Sequence, residues 1–291
     1  MTMNQANPSA TPPQVLGTTD HSRASAGMTY VYPVVSRRAG GVSIGINLNP
    51  NNACNWRCIY CQVPNLKRGG PPPIDLSQLE RELRAMLGEL QFGDFMVTRV
   101  PPGVRRIADI AFSGNGEPTS CSEFPRAVDA VIRCLEESGL SGRIKSRLIT
   151  NGSLLDRPAV RLGIARLAEE NGEVWFKLDA GSRNQISAIN NVDLDPAGVL
   201  RRLRACGAIC PTWVQACFFA LDGFAPNESE ILAWLNLLFQ AKDKLAGVHL
   251  YGLARPSLQP EAPRLASLPQ EWLEILAIRI RALGLTASVS P

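Results

Sequence analysis

The stretch Val174-Trp175-Phe176-Lys177-Leu178-Asp179 sets apolar side chains at its even positions against Trp, Lys and Asp at its odd ones. A strand inside a doubly wound parallel sheet is apolar on both faces, so a strand with one polar face reads as the wall of a cavity. Its neighbours repeat the pattern. Gly45, Asn47 and Asn49 oppose Ile44, Ile46 and Leu48; Gln215 and Cys217 oppose Val214 and Ala216; His249 and Tyr251 oppose Val248 and Leu250. Six such strands are expected, at 42–49, 107–113, 146–150, 174–179, 212–219 and 248–253, each flanked by turn residues. Helical spacing fills the gaps. Leu76, Leu79, Leu83, Met86, Leu87 and Leu90 surround a capping-box pair, Ser77 and Glu80, and Val128, Val131, Ile132 and Leu135 repeat the stripe. Asp156 with Pro158 and Asp195 with Pro196 mark two further helix starts, and Leu273, Leu276, Ala277 and Ile280 form the stripe of the last helix. Repeated β-then-α order dictates parallel strands joined by right-handed crossovers. With a polar inner face, that order predicts an α/β barrel, complete or incomplete, whose ligand site lies at the carboxyl ends of the strands.

The chain has 291 residues, 45% apolar and 19% charged, with 24 Gly and 22 Pro: globular and loop-rich, neither disordered nor fibrous. A net charge of +4 is too small to argue for nucleic-acid binding. Pairs such as Lys67-Arg68 and Arg201-Arg202 read as solvated surface or local anion-attracting patches. No run reaches the roughly 18 apolar residues of a membrane span, and Ile231 to Phe239, interrupted by Asn236, reads as a buried helix. Residues 1–28 lack large apolar side chains and a secretory signal, so they are expected to be a disordered tail before a folded domain at 29–291 that includes the C-terminal helix. Without an export signal the eight cysteines belong in a reducing cytoplasm, as ligands, catalytic groups or small core residues.

Directly after the first strand stands Cys54-Asn55-Trp56-Arg57-Cys58-Ile59-Tyr60-Cys61. Three close thiolates with no nearby His cannot close a tetrahedral zinc site alone, but they can hold three irons of a cubane and leave the fourth open to another ligand. A structural zinc knob that borrows a distant fourth cysteine is the alternative. Cys206, Cys210 and Cys217 invite a second cluster, which geometry opposes: seven extended residues separate Cys217 from Cys210 by roughly 23 Å. They are expected, with Cys121 and Cys134, to be small buried residues.

The Cx3Cx2C spacing with an aromatic residue, Tyr60, before its last cysteine resembles the signature of the radical S-adenosylmethionine (radical SAM) superfamily, and the likeness extends over about residues 40–256. Ser113-Gly114-Asn115-Gly116-Glu117-Pro118-Thr119 resembles its Gly-Gly-Glu motif, which binds the amino group of the SAM methionyl moiety; Asn115 stands where many members have Gly. Thr150-Asn151-Gly152, Lys177-Leu178-Asp179-Ala180 and Ala254-Arg255-Pro256-Ser257 resemble segments of the branch containing wyosine-type tRNA-modifying enzymes. The resemblance implies a partial (β/α)6 barrel and a 4Fe-4S cluster on Cys54, Cys58 and Cys61, with SAM chelating the fourth iron. It further implies an electron donor such as flavodoxin or ferredoxin, and reductive cleavage of SAM to a 5′-deoxyadenosyl radical that abstracts a substrate hydrogen.

Physical chemistry gives the remaining residues their readings. Gly114 and Gly116 let backbone approach a ligand, and the Glu117 carboxylate is suited to accept from an ammonium. Lys177 and Asp179 share the inward face and suit the SAM carboxylate and ribose hydroxyls, or else pair with each other. Asn151 belongs to the same cofactor set. On the substrate side stand Arg255, suited to clamp a carboxylate or phosphate or to pair at the surface, Tyr251, and His249, a proton donor or a hydrogen-bonded interior His. The substrate is left open as a small molecule, tRNA or protein: a wyosine-like modifier, though no cysteine precedes Cys54 to hold a second cluster; a glycyl-radical-enzyme activase; or a small-molecule enzyme. A non-catalytic metal- or RNA-binding module is disfavoured by the Gly-Glu loop and the polar strand faces.

Overall fold

The computed structural model describes residues 15–17, 27–36 and 39–290. Eight strands form its main sheet, hydrogen-bonded in chain order: β1 (Val31–Ser36), β2 (Gly41–Ile46), β3 (Ile107–Phe112), β4 (Lys145–Thr150), β5 (Gly172–Lys177), β6 (Thr212–Cys217), β7 (Gly247–Tyr251) and β8 (Ala287–Ser290). Only β1 and β2 pair antiparallel; every later pairing is parallel. The sheet curls into a half-barrel with β1 and β8 as its edges. All six expected strands are present. The two edge strands are additional, and each has a physical reason for having escaped the pattern. In β1, Pro33 interrupts the run, which an edge strand tolerates because it needs no second ladder. β8 is only four residues long.

Eight helices accompany the sheet: α1 (Leu76–Phe92), α2 (Phe95–Arg99), α3 (Phe124–Glu137), α4 (Pro158–Glu169), α5 (Arg183–Asn190), α6 (Pro196–Ile209), α7 (Glu228–Ala241) and α8 (Gln270–Ala282). Their buried stripes are the expected ones: Leu79, Leu83, Met86, Leu87 and Leu90 on α1, and Leu273, Leu276, Ala277 and Ile280 on α8. The cap of α1 is Asp75, whose side chain accepts from the Gln78 N–H, rather than the Ser77 and Glu80 pair. At α4 the N-cap is Arg157, with Pro158 in the first turn. Asp195 caps α6 as read. α5 was not expected; eight residues long, it buries only Ile186 and Asn190, too short a stretch for its period to be read.

The even residues of β5 face the helices and the odd ones face the barrel interior, where Trp175 and Lys177 line a cavity. Of the residues read as a disordered tail, most lie outside the described residues. Leu16 departs from that expectation, being buried with its N–H donating to the Arg99 carbonyl at 2.8 Å. Among the described residues no helix is long and apolar enough to cross a membrane.

Candidate active site

The cysteine loop lies at the carboxyl ends of the strands and closes one end of a cavity of about 430 Å³. Cys54, Cys58 and Cys61 all line it, with Tyr60, Ser113 to Glu117, Asn151, Lys177, Gln215, Cys217, Tyr251 and Arg255. Three elements hold the loop in place. From the segment after β7, Ser257 Oγ donates to the Ile59 carbonyl at 2.7 Å, and Gln259 Nε2 donates to the carbonyls of Cys61 and Val63 at 3.2 and 3.1 Å. Glu261 accepts from both terminal nitrogens of Arg57, at 2.9 and 2.7 Å. From the turn after β4, Asn151 Nδ2 donates to Asn55 Oδ1 at 2.8 Å. At the C-terminus of α5, the carbonyls of Ile189 and Asn190 accept from the N–H groups of Ile59 and Arg57 at 2.9 and 3.2 Å.

The thiols themselves are set up as sulfur ligands. The Trp56 N–H donates to Cys54 Sγ at 3.4 Å, and Asn190 Nδ2 donates to Cys58 Sγ at 3.2 Å, the kind of contact that stabilises sulfur bound to iron. Burial pushes the free Cys54 thiol up to about 11 and the Cys58 thiol up to about 12, Lys177 pulling the latter back, so cluster loading releases their protons. Among the described residues no three His, Cys, Asp or Glu side chains are gathered as a single bound ion requires. Cys121, Cys134, Cys206, Cys210 and Cys217 are buried.

The Gly-Glu loop departs from the sequence reading in detail. A Cβ on Gly114, at φ +148°, would stand 2.4 Å from Asn47 Oδ1, and one on Gly116 would stand 2.0 Å from the Ala53 carbonyl. The close approach these glycines permit is therefore to the chain's own backbone and side chains. Glu117, read as an ammonium acceptor, is 3% exposed, and its oxygens already take four donors. Oε1 accepts from Thr119 N at 3.1 Å and from the hydroxyls of Thr119 and Thr150 at 2.6 Å; Oε2 accepts from Asn151 N at 2.7 Å. Burial still raises its carboxyl above the usual range, with these hydrogen bonds opposing. Asn115 donates from Nδ2 to Asn52 Oδ1 at 2.6 Å, while its own Oδ1 is buried without a partner among the described residues. Ser113 Oγ lies 2.9 Å from the hydroxyl of Tyr32, a β1 residue the sequence reading missed.

Lys177 and Asp179 form no ion pair with each other. Lys177 Nζ donates to the Tyr251 hydroxyl at 3.1 Å and lies 5.0 Å from the Tyr60 ring centre. Asp179 does not line the main cavity: it accepts from the Tyr60 hydroxyl at 2.5 Å, Asn190 Nδ2 at 3.0 Å and Cys217 N at 3.0 Å. Arg255 and Tyr251 reach the cavity wall; His249 does not. Its ring stacks on Trp213 at 4.5 Å and its Nδ1 lies 2.6 Å from Ser288 Oγ.

The far end of the cavity holds charges that the sequence reading passed over. Arg147 contacts Asp109, donates from Nε to Glu173 Oε1 at 2.6 Å and lies 4.9 Å over the Trp175 ring. Ser43 donates to Asp109, and Trp175 Nε1 donates to Glu173 Oε1 at 2.9 Å. Asp109 and Arg147 occupy odd positions of β3 and β4, so the alternation that exposed β5 would have found them. Between this floor and the cysteine loop, Gln215 is 3% exposed and lines the cavity.

An incomplete parallel barrel carrying three thiols at the carboxyl ends of its strands, above a polar interior, defines an iron–sulfur protein built to place a ligand between cluster and cavity. The sequence model of the Radical SAM superfamily matches residues 48–238, and the chain belongs to that superfamily, whose members use a 4Fe-4S cluster and SAM. The fold is similar to a radical SAM methyltransferase from Sphaerobacter thermophilus, with a TM-score of 0.61 and 16% identity over 89% of this chain and 68% of that one. It is also similar to TYW1 with a lysine-pyruvate adduct bound, with a TM-score of 0.55 and 17% identity over 82% and 73%. In sequence, the chain is 29% identical over 170 residues to a Brachyspira hyodysenteriae protein described as GTPase Obg, covering 56% of this chain and 21% of that protein. The chain spans less than half the length of the curated relatives it matches.

Proposed function

We propose that the protein is an oxidoreductase that cleaves SAM reductively and directs the resulting radical at a substrate held inside the half-barrel. The observation that carries this reading is the shared wall: all three thiols, Lys177 and Gln215 line one 430 Å³ cavity. Cys54, Cys58 and Cys61 hold the 4Fe-4S cluster, which with SAM supplies a 5′-deoxyadenosyl radical. Asn115 Oδ1, buried without a partner, is the acceptor for the SAM ammonium, while Glu117 holds that loop to Thr150 and Asn151. Lys177 is placed for the SAM carboxylate and Tyr60 for the adenosyl side. Substrate enters between Arg255 and the floor, and the Gln215 carboxamide on the cavity wall orients it through a hydrogen bond. A cytoplasmic setting, with flavodoxin or ferredoxin as electron donor, agrees with eight free cysteines and no disulfide among the described residues.

A tRNA substrate is favoured among the alternatives by one observation besides the likeness to TYW1. Lys67 and Arg68 are exposed on a two-residue strand paired with Ala53–Cys54, next to Leu66 on the cavity wall, so a basic rim flanks the mouth. The test is 5′-deoxyadenosine formation by reconstituted protein with bulk tRNA, with protein fractions and with small-metabolite pools. Turnover dependent on tRNA is expected. Turnover dependent on small metabolites alone would replace tRNA as substrate, and Gln215→Leu should then uncouple SAM cleavage from product in either case.

A further inference from the structure

Cys58, Asn190, Asp179 and Tyr60 are linked in that order by a chain of hydrogen bonds. Asp179 Oδ2 accepts from the Tyr60 hydroxyl and from Asn190 Nδ2 at 3.0 Å, while Oδ1 is fixed by Cys217 N at 3.0 Å. An ionised carboxylate only accepts, so the Asn190 amide must turn its nitrogen toward Asp179. Its second N–H then points at Cys58 Sγ, 3.2 Å away. The orientation cannot relax by rotation of the side chain, because Asn190 is 2% exposed and its backbone carbonyl is engaged by Arg57 N at 3.2 Å.

We propose that Asn190 is a positioning residue that sets the reduction potential of the cluster by a fixed N–H···S bond to Cys58. The inference rests on the three-thiol cluster argued above and deepens it. A donor aimed at a bound sulfur stabilises the more negatively charged, reduced cluster, so removing it favours the oxidised form. The end of α5, which buries only two side chains, thus both clamps the cysteine loop through its carbonyls and carries this amide.

The experiment is a redox titration of the cluster without SAM, followed by its electron paramagnetic resonance signal, in the wild-type chain and in Asn190→Leu and Asn190→Ala. Both variants are expected to keep about four irons and to shift the midpoint to more negative potential by at least a tenfold change in the redox equilibrium, about 59 mV for one electron. Full iron content with an unmoved midpoint would overturn the proposal. If neither variant loads iron, the wild-type chain labelled with ¹⁵N-asparagine decides: a ¹⁵N coupling in the reduced cluster is expected, and its absence overturns the proposal. Failure of the underlying reading is distinguishable, because the wild-type chain would then bind no cubane at all.

Discussion

At the scale of single residues, the cysteine spacing pointed to three thiols that share one cavity, and period-two alternation pointed to Lys177, Gln215 and Tyr251 on its wall, because both signals are local in sequence. Glu117 was legible as a candidate, but the chain's own groups that hold it were not. The donors that occupy it, Thr150 and Asn151, lie 33 and 34 residues away on another strand, and no local pattern reveals which group reaches a carboxylate first. The partners of Asp179 escaped for the same reason, arriving from the cysteine loop and α5. Glu117→Ala should therefore act first on folding: it leaves buried hydroxyl and N–H donors unpaired at a cost of about 2–4 kcal/mol, read by chemical denaturation of the anaerobic protein. Unchanged stability together with lost SAM affinity would return Glu117 to the role of ammonium acceptor.

At the scale of elements, the six core strands and the main helices were readable because each repeats one period over several residues. The edge strands and α5 were not, since a strand with a central proline, a four-residue strand and a polar eight-residue helix carry too few periods to register. What these elements do depends on tertiary contacts: β1 brings Tyr32 to Ser113, and α5 brings Asn190 to Cys58. The floor of the barrel makes a prediction at this scale. Arg147 ties β4 to Asp109 of β3 and Glu173 of β5, and all three are shielded from solvent. Arg147→Met leaves two carboxylates without their cation and should cost about 3–5 kcal/mol, measured by equilibrium unfolding. A loss below about 1 kcal/mol would show the three charges to be hydrated like a surface pair.

Across the whole molecule, a curled parallel sheet fixes the cavity, and three separate segments clamp the cysteine loop over its open end. The chain thereby holds three sulfur ligands at one end of a polar chamber and an anchored charge network at the other, with Gln215 between them. The most direct measurement is iron content and 5′-deoxyadenosine formation in one anaerobic sample, reduced in the presence of SAM, for the wild-type chain and a Cys54→Ala, Cys58→Ala, Cys61→Ala triple variant. The account predicts about four irons and SAM cleavage in the wild type and neither in the variant. A variant that still assembles a cluster, or a wild-type cluster that leaves SAM intact, would contradict it.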